Sequence, residues 1–551
     1  MTQPPGQPPP HGDFGVPGGA QQAVPPQPAR PSYTPSGPYD EQPGPYNQAP
    51  GPYGGHPTQP QPACAPTPPG SGGGGFFTGK SGAVVGAVVA GLLVIGGGTW
   101  FALSGDGKDD RAGAGRSDGG PKPSAPAAQR SADAGRAQLN AGRRPGEAKV
   151  LFLAKNDVDV PGNGADIFGP WIQGDTLVKA MYREVAGYSV TDGSKKWSVQ
   201  LGTDVCLAAP QASAEGKIVV GVRSSPSEGA SCNVLQMIDT KTGRAGWKTP
   251  VPKPKQLTGF TDLILAIGGN TVTAAGLETS YGFSVSDGRQ LFGRQASRCL
   301  PYGFAGGVNR LIAAADCPTT DAEKVKQEIQ DVDPASGKAR WTYALPAEWE
   351  VDKVYSVAPA VVALKRQLDE TGEKTERRVI ALTDSGKLRS QLQLGKEEFE
   401  AGCTSAQLAF RGDIQGWCTG VAADASALYL ATKPTDTNSV VAFGLDTGRP
   451  AWRSPAGEGR TMTPVTVEDG SVVVYIAPTY TIAGAVATIP AGGGSRHVVL
   501  KHQLSNVENE SGFPEARTAY ADGRFFLTAT RINGLDDAEE RETKTMMAFG
   551  N

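Results

Sequence analysis

The sequence lacks an excess of charge of either sign. It has 52 Lys and Arg residues against 55 Asp and Glu residues, for a formal net charge of −3. Nucleic-acid-binding proteins concentrate positive charge on one surface to neutralise phosphates. The charge balance therefore gives no indication of a nucleic-acid partner.

Histidine is scarce, and the motifs of common hydrolases are missing. The chain has 4 histidines, of which only His497 and His502 follow residue 148. Residues five apart in a strand point to opposite faces, so these two are not expected to bind one metal ion. Surface or sheet-packing roles are expected instead. Because residues 148–551 contain no G-x-S-x-G motif and no cluster at metal-ligand spacing, we predict no catalytic or metal-binding residue.

One phosphate-binding motif occurs in an unsuitable context. Residues 74–81, GGFFTGKS, fit the P-loop pattern. A P-loop needs a buried strand before it and a soluble helix after it, so that backbone N–H groups point at the phosphates. Here a Pro/Gly-rich segment precedes the motif and a long apolar run follows. We expect no nucleotide binding.

The N-terminal segment has few apolar runs but much proline. Of 45 prolines, 22 lie in the first 70 residues, so residues 1–80 are predicted to be a disordered tail. Residues 83–103, AVVGAVVAGLLVIGGGTWFAL, carry no charge and are long enough to cross a bilayer, which predicts a single transmembrane helix. Residues 104–147 show no apolar period and are predicted to be a flexible linker.

Two signals disagree about the orientation of this helix. Lys80 precedes the apolar run, whereas Lys108, Arg111 and Arg116 follow it, which by Lys and Arg count favours a cytoplasmic C-terminal side. Six of the 7 cysteines follow the helix, an even number that is typical of disulfides in an oxidising compartment. We favour the second signal, which places the large domain outside the cytoplasm and the tail inside it.

Residues 148–551 contain a repeat that predicts an all-β fold. Six segments share a short strand, a turn with Gly (and usually Asp), and a second strand, and they recur at intervals of about 50 residues. Gly permits the tight hairpin turn, and Asp can bond within it. The residue four positions after the turn glycine is usually a large aromatic residue that we expect to pack between neighbouring sheets. These residues are Trp197, Trp247, Phe292, Trp341 and Trp452, and the fifth of the six segments has Ser390 at this place.

Two more strands precede each turn, so each unit has the four antiparallel strands of a propeller blade. A seventh unit has a degenerate turn at Gly492–Gly494, and the eighth ends with only three strands. Residues 149–154, KVLFLA, form an unpartnered strand that can supply the missing one and remove an open edge. We predict an eight-bladed β-propeller, with seven blades as the alternative.

The cysteines of the large domain are predicted to form three disulfides. Cys299 begins a first strand and Cys317 ends the antiparallel second strand, which brings their Cα atoms to bridging distance. Pairing by proximity in loops is expected for Cys206 with Cys232 and for Cys403 with Cys418.

The repeats resemble those of the PQQ-like (quinoprotein-type) β-propeller family, whose blade signature is close to A-x-D-x-x-T-G-x-x-x-W. Residues 237–247, MIDTKTGRAGW, match it best, and residues 442–452 and 331–341 are close. The resemblance implies a propeller but not one activity, because the family includes quinone-dependent dehydrogenases, envelope assembly factors and sensor domains. The layout of tail, helix, linker and propeller is similar to that of surface proteins of high-GC Gram-positive bacteria. Family dehydrogenases carry a disulfide between adjacent cysteines beside the cofactor, and no two cysteines are adjacent here, so no PQQ or other cofactor is expected.

The loops of such a propeller are unequal on its two faces. Loops between second and third strands and connections between blades share one face, and residues 224–232, 321–328, 369–377, 396–416 and 536–544 add length there. Insertions gathered on one face often mark a binding surface. We therefore predict a non-catalytic, membrane-anchored propeller that binds or senses a protein or envelope ligand. An envelope assembly scaffold and a quinone-dependent dehydrogenase are the alternatives.

Overall fold

The structure, a computed structural model, describes residues 127–551 except residues 228, 253–262, 277–278, 294–298, 321–325, 370–373, 405–410, 514 and 535. The predicted tail, transmembrane helix and P-loop-like motif lie outside the described residues. Of the helices that are described, none combines the length and the apolar composition required to cross a membrane.

Eight antiparallel four-stranded sheets form the blades. Blade 1 contains β2 (Ala165–Gln173), β3 (Thr176–Met181), β4 (Glu184–Ser189) and β5 (Lys195–Gln200). Blade 2 contains β6 (Val205–Ala208), β7 (Lys217–Arg223), β8 (Cys232–Asp239) and β9 (Arg244–Pro250). Blade 3 contains β10 (Ile264–Gly268), β11 (Thr271–Gly276), β12 (Thr279–Ser284) and β13 (Gln290–Phe292). Blade 4 contains β14 (Leu300–Gly306), β15 (Leu311–Asp316), β16 (Gln327–Val332) and β17 (Ala339–Ala344).

The second half of the ring is built in the same way. Blade 5 contains β18 (Glu350–Val357), β19 (Ala360–Gln367), β20 (Thr375–Leu382) and β21 (Leu388–Gln391), and the hairpin β22 (Gly402–Thr404) and β23 (Trp417–Thr419) follows it. Blade 6 contains β24 (Val421–Ala423), β25 (Ala427–Ala431), β26 (Ser439–Gly444) and β27 (Pro450–Pro455). Blade 7 contains β28 (Met462–Glu468), β29 (Ser471–Ile476), β30 (Ala485–Pro490) and β31 (His497–Lys501). Blade 8 contains β32 (Arg517–Ala521), β33 (Arg524–Thr528), β35 (Lys544–Gly550) and β1 (Lys149–Lys155), and the short β34 (Arg531–Ile532) pairs with β2.

The first strands of the blades surround the centre of the ring. Each first strand contacts the first strand of the next blade, in the order β2, β6, β10, β14, β18, β24, β28, β32 and back to β2. Inner strands such as β3 and β11 are buried along their whole length, because a neighbouring blade covers each face. Outer strands such as β5, β17 and β27 alternate between exposed and half-buried residues. The eight-bladed prediction is confirmed, and the seven-bladed alternative is wrong.

The ring closes with a strand from the other end of the domain. β1 pairs antiparallel with β35, from Lys149 opposite Gly550 to Lys155 opposite Lys544. Val150 is buried in the same core as Phe549, its partner across the two strands. The closing strand predicted from KVLFLA is therefore present.

Packing between blades explains why the turn glycine and the aromatic residue have the same spacing in each repeat. Trp247 in blade 2 lies on the turn of blade 3, where its Nε1 donates a 2.8 Å hydrogen bond to Val285 O. A Cβ on Gly288 of that turn would lie 2.5 Å from the Trp247 ring. The same contact of outer-strand aromatic residue with next-blade turn glycine recurs at Trp197 with Gly243, Trp341 with Gly386, Trp452 with Gly493 and Phe152 with Gly193. Phe292 instead lies on Gly282 of its own blade, and Ser390 donates a 2.6 Å hydrogen bond to Leu445 O.

The end of the predicted linker differs from the expectation of a flexible segment. Helix α1 (Ala127–Leu139) precedes β1, and the side chain of Asn140 bonds both the N–H and the C=O of Val150, each at 2.9 Å. Leu139 packs against the core, and Ala148 is buried. Hydrogen bonds of the backbone and of the Asn140 side-chain amide hold the end of the linker against the propeller. This attachment needs no apolar stripe, so the linker sequence shows no apolar period. The other helical segments are a 3₁₀ turn (Leu504–Asn506), α2 (Val507–Ser511) and α3 (Asp537–Glu542).

Candidate functional site

One face of the ring carries the long loops, as the topology of the repeats predicted. We call it the loop face; it contains the connections between second and third strands and between blades. Its longest segments are residues 392–420, 502–516 and 529–543, which hold the hairpin β22–β23, α2 and α3 respectively. The other face, the turn face, joins most strands by tight turns such as residues 269–270 and 469–470.

Three disulfides lie at the loop face or at strand ends beside it. They join Cys206 to Cys232, Cys299 to Cys317 and Cys403 to Cys418, with Cα–Cα distances of 6.0, 4.1 and 4.0 Å. These are the pairs predicted from the sequence. Cys403 and Cys418 face each other across β22 and β23, so this disulfide ties together the two ends of the hairpin.

The connection between blades 5 and 6 crosses the centre of the ring. Residues 412–417 of this connection, which we call the plug, contact the first strands of the neighbouring blades 4 and 5. In blade 4, Gln415 accepts a hydrogen bond from Gly306 N at 2.8 Å and donates one to Gly306 O at 2.9 Å. In blade 5, Val354 N donates to Ile414 O at 2.6 Å. Because the first strands surround the centre, these contacts place the plug in the central channel.

Trp417 ends the plug and contacts blade 1. Its ring centroid lies 6.3 Å from Phe168 and 5.9 Å from Trp171, both in β2. Arg517 lies over the same ring at 4.2 Å and donates hydrogen bonds to Ile167 O and Gly169 O at 2.5 and 3.1 Å. Burial lowers the pKa of Arg517 to about 10, a value at which the guanidinium stays charged at neutral pH. The positively charged side chain of Arg517, on the first strand of blade 8, is therefore buried beside the central channel.

A cavity of about 950 Å³ opens beside this arginine, and we call it the loop-face cavity. It is formed by the inner ends of blades 7, 8 and 1, by the hairpin β22–β23 with the adjacent residues Glu400 and Gly420, and by α2. Its charged lining residues are Asp166, Glu400, Glu510, Glu515 and Arg517. Threonine residues and the aromatic residues Trp417, Tyr475 and Phe513 are also among its lining residues. The cavity wall therefore contains both polar and apolar residues, and four of its five charged residues are acidic.

Glu510 is the most buried carboxylate of the cavity, at 3% exposure. Its Oε1 accepts a 2.8 Å hydrogen bond from Tyr475 Oη, and His502 Nδ1 lies 2.8 Å from the same oxygen. The His502 ring stacks on Phe549 at 3.7 Å between centroids. Burial, with the nearby Glu510 carboxylate, raises the pKa of Tyr475 well above its usual range, so the phenol remains a donor. Glu510 Oε2 has no hydrogen-bond partner among the described residues.

This cluster of Glu510, Tyr475 and His502 was not predicted from the sequence. His502 was expected at the surface or in blade packing; the structure buries it fully beyond the end of β31, while His497 is exposed on that strand. Glu510 and Arg517 come from irregular connections and strand ends, which carry no repeat. The blade-packing aromatic residues Trp197, Trp247, Phe292, Trp341 and Trp452 do not line the cavity.

One group of carboxylates elsewhere has the spacing of a cation site. Oxygens of Asp159, Asp537 and Glu540 lie within 4.8 Å of one another. Glu540, the buried member, already accepts hydrogen bonds from Asn156 Nδ2 at 3.0 Å and Val160 N at 3.1 Å. These hydrogen bonds explain why Glu540 is buried: it connects α3 to the segment that leads into blade 1.

Comparisons with known proteins agree with the repeat analysis. The family model described as outer membrane protein assembly factor BamB, a model of PQQ-like repeats, matches residues 183–365. No curated protein sequence matches the chain.

Several solved structures are similar to part of the chain. BamB from Moraxella catarrhalis is 15% identical, with 73% of this chain and 98% of that one covered and a TM-score of 0.39. A quinohemoprotein alcohol dehydrogenase, ADHIIG from Pseudomonas putida HK5, is 12% identical, with 73% and 76% covered and a TM-score of 0.40. The computationally designed Ika8 protein is 11% identical, with 72% and 100% covered and a TM-score of 0.41. The family model therefore matches the part of the eight-bladed propeller that runs from blade 1 to blade 5.

Proposed function

We propose that this chain is a membrane-anchored, extracytoplasmic propeller that binds a protein or envelope ligand through its loop face and catalyses no reaction. The observation that carries the proposal is that the plug occupies the central channel while a cavity stays open on the loop face. The loop-face cavity and the loops around it form a recessed surface that is available to a partner. Ligand sites on rigid scaffolds typically lie in such loop regions.

The rim of the cavity presents an exposed aromatic residue. Tyr480 is 100% exposed and stands two residues after Pro478, which lines the cavity. Thr479 N donates a 2.9 Å hydrogen bond to Ile482 O, so Tyr480 sits on an ordered turn. Tyrosine is enriched among the residues that dominate binding energy in protein interfaces. An exposed tyrosine beside a polar cavity favours a protein partner.

The quinone-dependent dehydrogenase is the less favoured alternative. The three disulfides join residues separated by 26, 18 and 15 positions, so none of them is the adjacent-cysteine disulfide of the family dehydrogenases. The plug also places Gln415 and Trp417 in the central channel, against the first strands of blades 4 and 1. Purified protein given the quinone and calcium should gain no quinone absorbance and reduce no dye. Stoichiometric uptake with dye reduction would establish the enzyme instead.

An envelope assembly scaffold is the second candidate. The observation in its favour is the matched family model, whose printed description is an outer membrane protein assembly factor. Crosslinking in intact cells separates the two possibilities: a scaffold yields several envelope proteins at once, whereas a sensor yields one ligand or partner.

The loop-face proposal is tested by paired surface variants of the full chain. Tyr480→Asp changes the loop face, and Val308→Asp changes an apolar residue of the turn face that is 76% exposed. Proteins retained by the immobilised wild type should also be retained by Val308→Asp and should be lost from Tyr480→Asp. Loss from Val308→Asp with retention by Tyr480→Asp would assign binding to the opposite face.

A further inference from the structure

We propose that the loop-face cavity holds an acidic side chain of the partner polypeptide, and that Arg517 binds its carboxylate. This inference rests on the proposed binding function and specifies the partner's chemistry. Among the described residues that line the cavity, Arg517 alone is basic, and it is 7% exposed. It begins β32, the first strand of blade 8, so a sheet fixes the position of its backbone.

The fold uses only one side of the Arg517 guanidinium. Nη1 donates the hydrogen bonds to Ile167 O and Gly169 O, and the Trp417 ring covers one face. Nε and Nη2 have no hydrogen-bond acceptor among the described residues. Neither atom is among the buried polar atoms that are closed to solvent and lack a partner, so both remain accessible from the cavity. Nε and Nη2 form an edge through which a guanidinium binds a carboxylate with two parallel hydrogen bonds.

The acidic residues of the cavity wall do not pair with this cation. Among the described residues, no carboxylate lies within ion-pair distance of Arg517, and Asp166 and Asp413 act on it only from farther away. Three of the four acidic lining residues have other cationic neighbours. These are Arg531 at 2.7 Å from Asp166, His502 at 2.8 Å from Glu510 with Arg460 also near it, and Lys433 near Glu400.

An incoming carboxylate gains more at Arg517 than at an exposed arginine. Folding has already removed most of this guanidinium from water, so a charged hydrogen bond to it costs the protein little further desolvation. Burial lowers the pKa of Arg517 only to about 10, so the group is charged at neutral pH. A carboxylate has about four lone-pair sites, of which Arg517 can occupy two. Hydroxyl groups for the others are available on lining residues Thr461, Thr463, Thr518 and Thr530.

One acidic residue of a polypeptide fits the cavity better than a polyanion or a free small anion. Glu400 and Glu515 are exposed at the rim and repel a ligand that carries several negative charges. The cavity volume of about 950 Å³ exceeds that of one side chain, so neighbouring residues of a peptide have room beside it. Tyr480 at the rim offers an aromatic surface to an apolar neighbour. The occupant is therefore an aspartate or glutamate flanked by uncharged residues.

The test is a titration of the detergent-solubilised full chain with blocked pentapeptides that carry two leucines on each side of a central glutamate. The matched peptide has glutamine, which keeps the shape and removes the charge. We expect the glutamate peptide to bind about 10- to 100-fold more tightly, since a charged hydrogen bond distinguishes the two. This comparison uses the wild-type chain and depends on no variant. Equal binding of the two peptides, tighter binding of the glutamine peptide or binding of neither would overturn the inference.

A pair of conservative variants assigns the preference to Arg517. Arg517→Lys keeps the positive charge but cannot present an edge of two nitrogen atoms, so it should remove most of the preference for glutamate. Arg524→Lys, a change on β33 of the same blade and outside the cavity lining, should leave the preference unchanged. A full preference in Arg517→Lys would overturn the role of Arg517.

A rim variant guards against misfolding of Arg517→Lys. Glu515→Gln removes one exposed negative charge and should strengthen the glutamate peptide a few-fold with an unchanged melting temperature. Weaker binding in Glu515→Gln would show that the cavity recruits cations and would overturn the inference. Glucuronic acid that binds as tightly as the glutamate peptide would assign the carboxylate to a saccharide and overturn the polypeptide source. The loop-face function would still stand on the paired Tyr480→Asp and Val308→Asp comparison.

Discussion

At the residue scale, the glycine of the repeated turn has two structural roles. Gly288 has φ +73°, which other residues rarely adopt, and it also makes room for the Trp247 ring of the preceding blade. The sequence motif is thus a contact between blades as well as a turn. This is why the spacing of glycine and aromatic residue identified the fold.

A pair of alanine substitutions separates these two roles. Gly523 has φ +72° in a tight turn, but a Cβ there meets nothing within 4 Å. Gly523→Ala should therefore cost only the backbone term, about 1 kcal/mol. Gly288→Ala should cost several kcal/mol, because it adds the loss of Trp247 packing. Thermal unfolding measures both, and equal losses would show that the aromatic contact contributes nothing.

Lys179 gives a pH-dependent prediction at the same scale. It is 3% exposed in β3, and burial lowers its pKa to about 8 from 10.5. Between about pH 8 and pH 10.5 the unfolded chain holds this proton and the folded one does not, so this group makes stability rise with pH there. Below pH 8 the buried charge costs on the order of 3 kcal/mol.

Lys179→Met should therefore raise the melting temperature at pH 7, and its advantage over wild type should shrink by pH 10. The exposed residue Lys248 provides the control, since Lys248→Met should give the same small difference at both values. A Lys179→Met difference that is constant with pH would show that this lysine is not the titrating group.

At the element scale, predictability follows the repeat. The blades, the closing strand β1 and the three cysteine pairs could be predicted, because each depends on a pattern that recurs or on strand ends that the pattern locates. The plug could not be predicted, since residues 412–417 occur once and their partners Gly306 and Val354 are distant in sequence. Helix α1 was missed because hydrogen bonds of Asn140, not an apolar stripe, hold the chain that follows it.

Truncated chains test the closing strand. A chain that starts at Asn156 lacks β1 and should aggregate or lose much of its thermal stability, because the edge of β35 is left open. A chain that starts at Ala148 should fold, but below the stability of one that starts at Ala127, since it lacks the two Asn140 hydrogen bonds. Each such bond contributes about 1 kcal/mol. Equal melting temperatures for the Asn156 and Ala148 chains would contradict the closure.

At the scale of the whole molecule, topology decides where a partner can be met. We predict that residues 105–551 lie outside the cytoplasm and the Pro-rich tail inside it. Protease added to intact cells stripped of wall should digest the propeller side and spare the tail. Digestion of the tail with protection of the propeller would reverse the orientation and support the Lys and Arg count.

The central claim is that the loop face carries the binding function, and site-specific photo-crosslinking in living cells tests it most directly. A photoreactive amino acid is placed at Tyr480 on the loop face and, in a separate strain, at Val308 on the turn face. Both side chains are highly exposed, so a photoreactive residue at either position can reach a bound partner. We expect discrete protein adducts from position 480 and none from position 308. Adducts confined to position 308 would contradict it.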